Sequence, residues 1–147
     1  MVIIQHPDPR LMQRTRSVEK VTPGLVNTAN EMIACMTAHN GLGLAANQVG
    51  LDISLIILRL DGGPIAMFNP SLVQKSPTQE YNNEGCLSFE GMTRCIKRPT
   101  WVKIKYRDIN NKMQYTKLDG LMARAFIHEL EHLHGILFIS HLEKDLT

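Results

Sequence analysis

The sequence predicts an α+β fold, with mostly antiparallel strands around a central helix that carries an HExxH motif, and one further helix near the N-terminus. Three observations predict it. Apolar residues recur at helical spacing over Leu25 to Met36, and Asp119-Gly120 with Gly135 brackets a late helix that ends near His134. Between those places lie short apolar or alternating runs separated by Gly, Asn and Asp. The order is helix, several strands, then a late helix, not a strict strand–helix alternation.

The first helix is announced by Thr22-Pro23, a cap followed by a residue suited to the first helical position. It runs through Asn27 to His39, with Leu25, Ala29, Met32, Ile33 and Met36 facing the core, and ends at Asn40-Gly41. Ile53 to Leu58 reads as a buried strand, and Asp61-Gly62-Gly63 turns it into Pro64 to Phe68. Trp101 to Tyr106 alternates apolar and basic residues. Asn110-Asn111 turns it back into Lys112 to Thr116 as a hairpin. Asp119-Gly120 opens the late helix, Gly135 stops it, and Ile136 to Ile139 reads as strand-like.

Length and composition bound the rest. The 147 residues, 44% hydrophobic and 20% charged, fit one soluble domain spanning 1–147. A net charge of +2 is too weak to point to nucleic acid or a membrane surface. No apolar run approaches a membrane span or a signal peptide; the longest, Ile53 to Leu60, contains Ser54 and Arg59. Three cysteines, Cys35, Cys86 and Cys95, do not make a secreted disulfide framework, so a cytoplasmic protein is expected. Nothing demands more than a monomer.

Chemistry concentrates in His128-Glu129-Leu130-Glu131-His132. Histidines four apart share one helix face and can reach a single metal ion, and Glu129 can take a proton from water activated there. The plainer reading is two surface histidines beside solvated glutamates. A hydrolytic metal site needs a third protein ligand. Phe138 stands where the HExxHxxGxxH peptidases have their third histidine, and His134, His141 and Glu143 lack a matching spacing, which directs the search upstream. Two segments there are notable. One is Glu84-Gly85-Cys86-Leu87-Ser88, a cysteine on a small polar loop; the other is Gly41-Leu42-Gly43-Leu44-Ala45-Ala46-Asn47-Gln48, small residues with one neutral amide at Gln48. Neither makes a phosphate cradle.

Taken together, the three segments resemble the GxGLAAxQ, EGCLS and HExDH motifs of the peptide deformylases, and the resemblance extends from Ile4 to Leu142. The resemblance implies metal ligands Cys86, His128 and His132, Glu129 as general base, and the Gln48 amide with the Leu87 N–H as oxyanion donors. It implies removal of the formyl group from N-formylmethionine at the start of new polypeptides. It also implies one divalent ion: Fe2+ in the native state, with Zn2+, Ni2+ or Co2+ possible in purified protein. Leu42, Gly43, Leu121, Ala125 and the His128 ring face flank the motifs and are candidates for the methionine slot; for Leu121 and Ala125 helical spacing favours core packing, and both roles can hold. Glu84 is either an acid orienting a ligand or a solvated loop residue.

Three departures from the family pattern stand out. Glu131 replaces the usual Asp, with Arg98 as its expected ion-pair partner; Glu90 replaces the usual Pro after EGCLS and one apolar residue. The chain also resembles short forms, some phage-encoded, without the C-terminal helix used at the ribosome, so weak ribosome contact is expected. Two other readings share these residues. One is a zinc peptidase cutting ordinary peptide bonds; the other is a binding protein that a metal merely staples.

Overall fold

The computed structural model describes residues 1–141. Helix α1 spans Pro23–Ala38. It is followed by strands β1 Gly43–Ala45, β2 Leu55–Leu60, β3 Gly63–Lys75, β4 Gln79–Cys86, β5 Phe89–Pro99, β6 Trp101–Arg107 and β7 Met113–Asp119, and by helix α2 Gly120–Leu133. Thr22 caps α1 by accepting the Leu25 N–H at 3.2 Å. Asp119 occupies the cap position of α2, but its side chain makes no capping bond.

Five strands form one antiparallel sheet in the order β1-β2-β3-β6-β7, and β4 pairs with β5 in a separate two-stranded sheet. Successive side chains of a strand point to opposite faces, and β2 uses both. Leu55 and Ile57 pack with Met32 and Met36 of α1, while Ile56 and Leu58 pack with Ala125 and Phe126 of α2. A helix on each face explains why Leu55 to Leu58 is an unbroken apolar run.

A third apolar cluster joins Phe89 and Ile96 of β5 to Ile4, Leu11, Leu137 and Phe138. It seats the β4–β5 hairpin beside the end of α2. The residues expected to be strand-like after α2 instead form a short 3-10 turn, Phe138–Ser140, because Leu137 and Phe138 both turn into this cluster. The small polar loop expected around Cys86 is the end of β4 and a tight turn into β5.

Candidate metal centre and its cleft

Helix α2 carries Arg124, His128 and His132 at four-residue intervals, so the three stack along one buried face. The hairpin brings Cys86 to the same place. The Cys86 sulfur and one ring nitrogen of each histidine lie within 4.8 Å of one another. Cys86 Sγ is 3.3 Å from His132 Nε2, and the two rings meet edge to face with centroids 5.0 Å apart.

His128 is held from behind, whereas the Nδ1 of His132 has no hydrogen-bond partner among the described residues. His128 Nδ1 hydrogen-bonds Glu84 Oε1 at 2.9 Å, which leaves Nε2 for the centre. Glu84 is buried, so it is not a solvated loop residue. Arg98 grips its two oxygens at 2.8 and 2.9 Å, and Arg124 adds a bond of 2.7 Å. Burial disfavours the Glu84 carboxylate, but Arg98 and His128 outweigh it and hold the group well below its ordinary range. Arg98 also pairs with Glu131, as the sequence led us to expect, and the other Glu131 oxygen meets His141 Nε2 at 2.7 Å. His141 therefore serves the surrounding network and is not a ligand. Glu143 lies outside the described residues. Phe138 packs 5.4 Å from the His128 ring and 5.2 Å from Phe89, so an aromatic wall stands where the peptidase-type histidine would be.

The three donors fit a metal ion. One thiol and two imidazoles are the set that binds borderline transition metals while leaving a position open. Burial disfavours a charge on His128, yet Cys86, Glu84 and Glu129 overcome it and push the ring up to about 10. With Nδ1 bonded to Glu84, the ring's added proton and a metal ion compete for the same Nε2, so the ring must give that proton up to bind the ion. His132, buried without an acid beside it, and next to His128 and Arg98, stays neutral as a ligand must.

Glu129 is buried beside the centre, and its Oε1 has no hydrogen-bond partner among the described residues. Burial pushes it up to about 7, opposed by the nearby His128 charge. Gly43 explains how the acid fits: a Cβ there would stand 2.7 Å from Glu129 Oε2. The glycines of the GLGLAA stretch are there for close approach. Gln48 follows on a 3-10 turn, Ala46–Val49. Its Oε1 accepts the Ala45 N–H at 2.9 Å, and its Nε2 donates to Ser88 Oγ at 3.1 Å and faces Cys86 Sγ at 3.5 Å.

Sequence reasoning missed several supporting residues. Ile4 N–H donates to the Gln48 carbonyl at 2.7 Å, Gln5 Nε2 to the Leu87 carbonyl at 2.8 Å, and His6 N–H to the Ser88 carbonyl at 2.9 Å. The N-terminal segment therefore laces the Gln48 and Cys86 segments together. Asn47 Nδ2 bonds the His132 carbonyl at the end of α2. Arg124 was the one with a signal, an arginine one turn before the first histidine.

A cleft of about 950 Å3 opens onto the centre. Leu42, Gly43, Gln48, Cys86, Leu87, Leu121, Ala125, His128 and Glu129 all line it. Ala125 is buried, whereas Leu121, expected by its helical spacing to pack in the core, is 59% exposed at the rim. It sits in the first turn of α2, ahead of the point where the helix meets the sheet.

The family model described as Polypeptide deformylase matches residues 1–146. A peptide deformylase from Brucella suis is 40% identical over 143 residues, covering 94% of this chain and 82% of that protein. One from Thermotoga neapolitana is 37% identical over 136 residues, covering 92% and 83%. The crystal structure of peptide deformylase from Thermotoga maritima superposes with a TM-score of 0.94 at 35% identity, covering 97% of each chain. That of a Synechococcus elongatus peptide deformylase in complex with actinonin gives 0.94 at 34%, covering 99% of this chain and 80% of the other. Sequence and fold match over nearly the whole length, and the chain belongs to the polypeptide deformylase family.

Proposed function

We propose that this chain hydrolyses the N-formyl group from the N-terminal formylmethionine of new polypeptides, releasing formate, with Cys86, His128 and His132 as metal ligands and Glu129 as general base. The observation that carries the assignment of roles is the convergence of three ligand atoms within 4.8 Å beside a buried, unpartnered Glu129 oxygen at the foot of an open cleft.

A divalent ion held by these side chains supplies Lewis acidity, which brings water towards ionisation near neutral pH and polarises the formyl carbonyl. Glu129 accepts a proton from water as its oxygen attacks the formyl carbon, then returns it to the amine as the C–N bond breaks. Burial raises the Glu129 carboxyl above the ordinary carboxylate range, which favours its holding and returning that proton. The Gln48 amide and the Leu87 N–H are the donors for the charge that collects on the formyl oxygen. Leu42, Leu121 and Ala125 give the methionine side chain apolar contact along the same cleft.

The donor set accepts zinc, nickel, cobalt or iron, and we read ferrous iron as the native ion, as the family motifs imply. The ligand set, Glu129 and the cleft are complete without a second copy, and we read the chain as a monomer acting in the cytoplasm, where nascent chains emerge. Among the described residues no helix is long and apolar enough to cross a membrane.

The test is formate release from a short N-formylmethionyl peptide, using anaerobically prepared protein loaded with iron or nickel. Glu129→Gln should lower turnover on the order of 100- to 10,000-fold with metal content unchanged. Full turnover in that variant removes Glu129 as base. No formate from the loaded parent chain means that the ion only staples the fold.

A further inference from the structure

The cleft extends beyond the residues assigned to formylmethionine, along an irregular part of the β4–β5 hairpin. Gly85 pairs with Thr93, but the next residue, Cys86, pairs with Phe89. Glu90, Gly91 and Met92 of β5 are left without partners and bulge from the ladder. Such bulges redirect side chains and occur beside active sites. Gly91 supplies the turn with φ +73, and a Cβ there would meet nothing within 4 Å, so backbone conformation and not crowding calls for glycine.

The bulge has a defined polarity. Phe89 turns inward, buried against His6 and Phe138, whereas Glu90 and Met92 are exposed and line the cleft. Glu90 forms none of the ion pairs among the described residues. The other acids lining the cleft, Glu84 and Glu129, are buried, and its one arginine, Arg124, is engaged by Glu84. Glu90 is therefore the one exposed carboxylate lining the cleft, free of ion pairs among the described residues, with a thioether two residues away. That pair complements a long aliphatic side chain ending in a cation.

We propose that Glu90, with Met92 beside it, is a specificity residue that makes this chain favour formylated peptides with Lys or Arg in the positions after formylmethionine. Its carboxylate attracts the cation and repels an acidic residue there, and Met92 covers the aliphatic stem. The inference rests on the cleft being the substrate site of the proposed function.

The test is kcat/KM for formate release from N-formylmethionyl tripeptides carrying Lys, Ser or Glu at the second or at the third position. The Lys-to-Glu ratio is expected to be about 3- to 10-fold in at least one position set, and to shrink at high salt. Glu90→Gln should bring that ratio to about one, and Glu90→Arg should reverse it. Because each ratio is taken within one protein, a general loss of activity in a variant does not obscure it. A ratio near one in the parent chain overturns the proposal, as does a preference that survives Glu90→Gln. No formate from the Ser peptides would instead overturn the functional reading on which it rests.

Discussion

Glu84 and His128 meet through a single 2.9 Å hydrogen bond, and it ties the charged network behind the centre to one of its ligands. The acid that fixes the ring is itself fixed by Arg98 and Arg124. Its neighbours' positions therefore depend on it from three sides.

Removing that charge should loosen the ligand. Glu84→Gln is expected to weaken metal binding about 10- to 100-fold, read by competition with a chelator. It also leaves buried Arg124 without its anion and Arg98 with Glu131 alone, so the metal-free variant should lose about 3 kcal/mol or more in urea unfolding. Unchanged chelator competition would show that Glu84 does not orient His128.

The space at Gly43 is reserved for Glu129. Gly43→Ala puts a methyl group 2.7 Å from Glu129 Oε2 and 2.8 Å from its Cγ. The acid is buried, so it must shift from its place beside the centre. Turnover should fall roughly 100-fold through displacement of the base, with metal content at one ion per chain. Loss of the metal together with activity would point to wider collapse.

Glu131 bridges Arg98 and His141, one on each carboxylate oxygen. Glu131→Asp shortens the reach by one methylene, which should keep Arg98 and release His141. A cost of about 1 kcal/mol in urea unfolding is expected, with turnover little changed. A large loss of turnover would place the whole bridge, and not only its Arg98 half, behind the ligands.

Acid sensitivity should include the β6–β7 turn. Asp108 accepts the Lys112 N–H at 3.0 Å, the Gln114 amide at 2.9 Å and the Asn110 N–H at 2.8 Å, and the first of these does most to hold its carboxyl below the ordinary 3.8. A lowered folded pKa stabilises above the unfolded value and is lost as pH falls through the folded one. Asp108→Asn should therefore unfold at lower urea than the parent chain at neutral pH, and the gap should close as the pH drops below 3.8. A gap independent of pH would mean that the charge is irrelevant.

Both helices, the β6–β7 hairpin and the HExxH ligands were legible because each follows a local rule. Periodicity marks Ala29 to Met36, alternation marks Val102 to Tyr106, and spacing of four joins His128 to His132. The β4 strand was not legible. Of Gln79–Cys86 only Glu84 is fully buried, so no alternation of apolar residues announces a strand. Its pairing is long-range in effect, set by Phe89 and Ile96 packing on Phe138. Leu121 misled for the opposite reason: its helical spacing is correct, but α2 begins before the sheet covers it. The links from Ile4, Gln5 and His6 to the motif segments have no sequence pattern at all, since most are made by backbone groups.

Cys86 is only partly covered, and what exposure it has is along the wall of the cleft. Peroxide and peptide therefore share one doorway to the sulfur. A chain with a peptide lying in the cleft is chemically sheltered, while an idle one stands open to sulfenic acid formation. Access to the sulfur and access for a peptide are thus coupled by geometry: whatever fills the cleft also covers the thiol.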